Sequence, residues 1–194
     1  MNPTKTFLTL WVCLGLIHHN LEAQYHELKL DAGGAVVGNW GIGYEYCIND
    51  DMGVNLRIGY FNPDEWLELD DNYTAFTVTA DYRYYLDFDE GADDFFVGAY
   101  LKFRDLSSEN YYYLYDPNTG ESQTADYSSI DLGFGVSVGW KTVTFRGFLV
   151  ETYAGVGRYF IQNEEVPAGF EDYEDFDIPF DVRVGLVLGW RLGQ

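Results

Sequence analysis

Apolar and polar residues alternate one for one along most of the chain, and this period of two limits what it can fold into. Successive side chains of a strand point to opposite faces, whereas a helix repeats every 3.6 residues. In 39–48, Trp40, Ile42, Tyr44, Tyr46 and Ile48 share one face, and Gly41, Gly43, Glu45 and Cys47 the other. After the turn signal Asn49-Asp50-Asp51, Val54, Leu56, Ile58 and Tyr60 alternate with Gly53, Asn55, Arg57 and Gly59. The pattern returns from Phe76, Val97, Ile130, Phe148 and Phe180, with a weaker strand near Glu27–Val37. It predicts eight strands of about 9–11 residues, the length that spans a membrane, with no helical segment between them.

Two features exclude other classes. The chain carries 32 Asp+Glu against 11 Lys+Arg, a formal charge of −21, so it lacks the basic surface that nucleic-acid phosphates require. Aromatics make up 19% of it, with 17 Tyr and 14 Phe, which argues against an acidic disordered chain. The continuous apolar run Phe7–Ile17 follows Lys5 and precedes Leu21-Glu22-Ala23. It is too short to span a bilayer as a helix and reads as a signal peptide over 1–23, cleaved after Ala23. The expected mature domain is 24–194, in which Cys47 is the only cysteine and has no intramolecular disulfide partner.

The direction of the two faces separates a soluble barrel from a membrane barrel. Eight strands enclose a space that side chains just fill, and the apolar face, with Trp, Tyr, Phe and Leu in nearly every strand, is too bulky for it. The opposite face carries many of the 21 Gly, among them Gly41, Gly43, Gly133, Gly135 and Gly139. It also carries most of the basic residues. Arg57, Arg83, Lys102, Arg104, Arg183 and Arg191 are expected to meet Glu45, Asp81, Asp131, Glu151 and Asp181 as a charge network in the lumen, because buried charge must be paired. The fold expected is all-β, an eight-stranded antiparallel up-and-down transmembrane β-barrel. Tyr46, Tyr84, Trp140 and Trp190 fall at one set of strand ends, and Trp40, Tyr60, Phe76, Phe103 and Phe180 at the other. They are expected to form the two membrane-interface belts. Short connections at Asn49–Asp51, Phe88–Asp94 and Lys141–Gly147 alternate with longer ones at Asn62–Asn72, Leu106–Tyr127 and Gln162–Ile178. Short turns belong to the periplasmic side, so both termini are expected there. The short connection near Gly38 departs from this alternation.

With Gly41-Ile-Gly-Tyr-Glu-Tyr46, Asp81-Tyr-Arg-Tyr-Tyr85 and Val184-Gly-Leu-Val-Leu-Gly-Trp190, the whole mature chain resembles the small eight-stranded outer-membrane β-barrels of Bacteroidota. That family is of unknown function and has the shape of OmpX/OmpA-type barrels. The resemblance implies location in the outer membrane of a Gram-negative bacterium, with lipid and lipopolysaccharide around the barrel and the barrel-assembly machinery as a partner in biogenesis. It brings no catalytic residues. The chain departs from it at the end, where Trp190-Arg191-Leu192 is followed by Gly193-Gln194 rather than a terminal aromatic.

The longer loops hold the acid. Asp172, Glu174 and Asp175 lie among further carboxylates and Phe170, Tyr173 and Phe176, and Tyr111–Tyr113 and Tyr115 flank a turn at Asp116–Gly120, suggesting a hairpin above the membrane. Solvation and repulsion at an anionic surface explain such runs most simply. A divalent cation held by these carboxylates, or an unidentified protein or glycan recognised through Tyr and Asp, are the sharper readings. Chemistry is otherwise scarce. The mature chain has one histidine, His26, far from the acidic loops, so a Ser–His hydrolase is not expected. Cys47 lacks a base and reads as packing, and no cofactor motif appears. The expected role is structural or surface-binding, with a plugged lumen. An outer-membrane enzyme or small-ligand binder is the alternative, and a narrow pore a further one.

Overall fold

The computed structural model describes residues 25–62, 72–86, 92–115, 122–165 and 179–192. The expected signal peptide and the carboxylates Asp172, Glu174 and Asp175 lie outside the described residues. The strands are β1 (Tyr25–Asp31), β2 (Asn39–Cys47), β3 (Met52–Phe61), β4 (Asn72–Tyr85), β5 (Asp94–Tyr115), β6 (Ser122–Val143), β7 (Phe148–Glu165) and β8 (Phe180–Leu192). Each pairs antiparallel with the next. Pairing of β1 with β8, from His26↔Leu192 to Asp31↔Val187, closes the barrel. Closure leaves no free edge along the wall, which is how a strand protein meets its backbone hydrogen bonds in lipid.

The apolar face points outward. Leu30, Ile42, Val136, Val156, Val182 and Val184 are exposed, while Glu45, Asn55, Asp81, Arg83, Asp131 and Glu151 are buried in the lumen. A water-soluble barrel would reverse this. The fold is therefore that of a transmembrane barrel, as alternation and the bulk of the apolar face predicted.

Three boundaries differ from the sequence reading. The first strand stops at Asp31, and a four-residue helix α1 (Ala32–Ala35) follows. Asp31 caps it by accepting a hydrogen bond from the Gly34 N–H at 2.8 Å, and Gly38, at φ 77°, turns the chain into β2. Strand β6 runs on to Val143, so Lys141, expected in a turn, faces the lumen fully buried. Strands β5 and β6 have 22 residues each, well beyond a bilayer span. Among the described residues, pairing with β4 reaches Glu109 and pairing with β7 reaches Ser128, and beyond these β5 and β6 continue paired with each other as a ribbon, with Tyr115 opposite Ser122.

The end with the short β2–β3, β4–β5 and β6–β7 connections, where both β1 begins and β8 ends, is called the near end below. The ribbon marks the far end.

Candidate functional site

The lumen is the one place among the described residues where ionisable groups converge, and strand periodicity puts them there. Lys29, Arg57, Arg83, Lys102, Arg104, Lys141, Arg183 and Arg191 meet Glu27, Asp31, Glu45, Asp81, Asp93, Asp131, Glu151 and Asp181, equal numbers of each sign.

The densest cluster lies toward the near end. Arg83 grips Glu151 with two parallel hydrogen bonds of 2.9 and 3.0 Å and reaches Glu45 at 2.8 Å. Lys29 bridges the same two carboxylates, at 2.5 Å from Glu151 and in direct contact with Glu45. Glu27, its backbone register partner Arg191 and Lys141 form a second knot, with Lys141 3.0 Å and Arg191 2.7 Å from Glu27. The Tyr85 hydroxyl joins the knots, donating to Glu45 and accepting from Lys141 at 2.7 Å. Every charged group here has at least two partners, and this offsets the several kcal/mol that desolvating each ion costs.

Toward the far end the pairs are simpler and wetter. Lys102 donates to Asp181 at 2.6 Å, and Asp181 also accepts from Tyr100 at 2.8 Å and Tyr159 at 3.2 Å. Arg104 and Ser129 hold Asp131, and Arg183 and Asn55 hold Asp81. The Lys102 and Arg104 side chains keep 16% and 22% of their surface exposed, against 1% for Arg83.

Aromatic rings stack on the arginines of this network. Arg83 lies over Phe96 at 4.4 Å, Arg57 over Tyr153 at 4.3 Å, Arg183 over Tyr100 at 3.8 Å and Arg104 over Tyr159 at 4.3 Å. A guanidinium is attracted to the face of a ring and still donates in its own plane. Space for the rings comes from opposing glycines. A Cβ at Gly135 would collide with Tyr100, and one at Gly185 with Tyr153. Below the charges, Cys47, Tyr85, Ala92, Phe96, Tyr153 and Val187 pack together. Arg191 reaches across to the Ala92 carbonyl at 2.5 Å.

All eleven charged residues expected in the lumen lie there, together with Glu27, Lys29, Asp31, Asp93 and Lys141, which the sequence reading did not include. Their signal was present. Glu27, Lys29 and Asp31 alternate with His26, Leu28 and Leu30, but a seven-residue strand is short for a firm period. Trp40, Tyr60, Trp140 and Trp190 are exposed on the outward face, whereas Tyr46 and Tyr84 are half-buried.

Glu27, Glu45 and Cys47 bring ligand-type atoms within 4.8 Å of one another. Their oxygens already accept from Lys29, Arg83, Lys141 and Arg191. The cluster is an anion cage built around ammonium and guanidinium groups. His26 lies outside the lumen, hydrogen-bonded through Nδ1 to the Tyr44 hydroxyl at 2.5 Å, so among the described residues no carboxylate or hydroxyl of the lumen has an imidazole beside it.

The pattern of a family of unknown function, DUF3575, matches residues 7–174. The chain belongs to that family. No curated protein matches it in sequence. Among solved structures, this DUF3575 member is similar to a major outer membrane protein from Thermus thermophilus, with a TM-score of 0.57 at 15% identity, over 88% of this chain and 100% of the other. Neisserial surface protein A matches with a TM-score of 0.49 at 15% identity, over 87% of this chain and 91% of that one. At this identity the Thermus likeness bears on the fold, an eight-stranded barrel of outer-membrane type.

Proposed function

We propose that this DUF3575 protein is an integral outer-membrane protein of a Gram-negative bacterium with a structural or surface-binding role, neither an enzyme nor an open pore. The observation that carries this reading is the combination of an apolar outer wall with a lumen filled by ion pairs and aromatic rings. An apolar wall needs lipid, and the fully buried Arg83, Tyr85, Phe96 and Glu151 in the near half of the lumen oppose a continuous water column. The short connections of the near end then face the periplasm, and the long β5–β6 ribbon, with the acidic Tyr-rich loops, faces the outside. Lipopolysaccharide surrounds the outer half, the barrel-assembly machinery inserts the chain after export, and a protein or glycan is bound at the loops. The likeness to a Thermus outer membrane protein supports the location.

Planar-bilayer recording of the purified barrel should give no stable conductance, and a reproducible open channel would refute the sealed lumen. Recovery of the protein in the outer-membrane fraction, with migration in detergent gels that changes on boiling, tests the location and the barrel. Replacing Asp172, Glu174 and Asp175 together with Ala should leave fractionation unchanged while removing any surface ligand.

A further inference from the structure

On the outward face of β8, β1, β2 and β3 the wall is concave. Leu28, Leu30, Ile42, Tyr44, Leu188 and Trp190 line a groove of about 700 Å³. The register explains it. Leu28 lies between Tyr44 on one side and Trp190 on the other, so a mid-sized side chain forms the floor and two rings form the walls. Phe148, opposite Trp190 at a ring separation of 6.3 Å, extends one wall. The groove spans Leu28 to Leu30 on β1 and Leu188 to Trp190 on β8, about 7 Å along each strand at about 3.3 Å per residue. His26, the next outward residue of β1, lies between the groove and the near end.

At the near-end rim the charges are separated, with Asp50 and Asp51 in the β2–β3 turn and a cation on the β7 side. Eight cations of the described barrel are engaged in the lumen. Of the remaining two, Arg146 sits exposed in the β6–β7 turn, two residues before Phe148. Gly147 of that turn accepts a hydrogen bond from the Arg191 backbone N–H at 2.7 Å, and the next residue, Leu192, is the register partner of His26. Arg146 and His26 therefore flank the same rim, about two strand spacings apart, or about 10 Å. With Nδ1 of His26 engaged by Tyr44, Nε2 is the ring nitrogen left for a ligand.

We infer that this groove is a binding site for a single phospholipid of the near-end leaflet, its acyl chains over Leu28 and Leu30 and its phosphate between Arg146 and His26. The volume falls in the range of about 300–1,000 Å³ typical of ligand pockets. A second copy of the chain fits less well, because a two-fold contact would set one concave face against another and enclose a void. The inference rests on the membrane reading above.

Native mass spectrometry of the full mature chain, released from micelles doped with palmitoyl-oleoyl phosphatidylglycerol, tests it. The wild type should retain one lipid at collision energies that strip the detergent. Leu28→Trp, which fills the floor, should reduce retention about tenfold, the ratio that about 1.4 kcal/mol corresponds to. Wild type should prefer the phospholipid to palmitoyl-oleoyl glycerol, which lacks phosphate, and the double variant Arg146→Ala/His26→Ala should lose that preference while still binding both. Equal retention by wild type and Leu28→Trp overturns the site. So does a dimer that Leu28→Trp abolishes, which would assign the groove to a second copy. Boiling-dependent gel migration of each variant reports the barrel separately. If the wild type itself fails that assay, the membrane reading fails; if all variants pass it and lipid retention is unchanged, only the groove does.

Discussion

The two halves of the lumen use the same residue types to different ends. Toward the near end, Lys29, Arg83 and Lys141 are shared among Glu27, Glu45 and Glu151, all with side chains at most 1% exposed. Toward the far end, Asp131 and Asp181 each face one principal cation whose side chain still reaches water. Burial makes the difference. A charge that cannot reach water must be matched several times over, whereas a partly exposed one needs a single partner and solvent supplies the rest. The near half is therefore a lock, and the far half a lined vestibule.

That contrast can be broken by experiment. Glu151→Ala leaves Lys29 and Arg83 to share Glu45 alone as a close partner, an excess of buried positive charge, and should cost about 3–5 kcal/mol. It is measured by denaturant unfolding in micelles, with partial loss of the boiling-sensitive gel band. Gly185→Ala pushes a methyl into the Tyr153 ring and should cost about 1–3 kcal/mol as overpacking. The double variant with Tyr153→Leu should recover part of it. Asp181→Ala removes the acceptor of Lys102, Tyr100 and Tyr159. Because Lys102 can turn to water, the cost should be about 1–2 kcal/mol, within the range for an unsatisfied buried partner. A loss as large as that of Glu151→Ala would erase the distinction between the halves.

The smallest effect lies at the near mouth. Asp93, in the β4–β5 connection, has its pKa raised by burial, which outweighs the hydrogen bonds it accepts from the Asp94 and Val143 N–H groups. Because the folded-state pKa lies above the unfolded one, the associated stability is complete below the ordinary aspartate range near pH 4. It is lost as pH rises through the raised value. Asp93→Asn removes this dependence, so thermal midpoints of the variant relative to wild type should be higher at pH 7 than at pH 4.

Much of the barrel could be read from residues alone, and specific ones mark where that reading stopped. Glu45, Asp81, Asp131 and Glu151 are legible as lumen residues because each sits in a long alternating run. Lys141 is not, because Trp140 reads as a strand end and nothing local says that β6 continues to Val143. Glu27, Lys29 and Asp31 belong to a strand of seven residues, whose period is too brief to stand out. The lipid-facing groove has no local signature, since Leu28, Tyr44 and Trp190 become neighbours only when β8 closes on β1.

What the sequence determined by itself is the sidedness of the wall. A period of two assigns the strand residues to lipid or lumen except at the β7 bulge, where consecutive Phe160 and Ile161 are both exposed, and the bulk and charge of each set decide which is which, because both follow from local geometry. What only the tertiary structure decided is who meets whom. Lys29 reaches Glu151 across 122 positions of chain, and Arg191 reaches Glu27 across 164. Such pairings depend on strand stagger and closure, which are properties of all eight strands together and of no one segment.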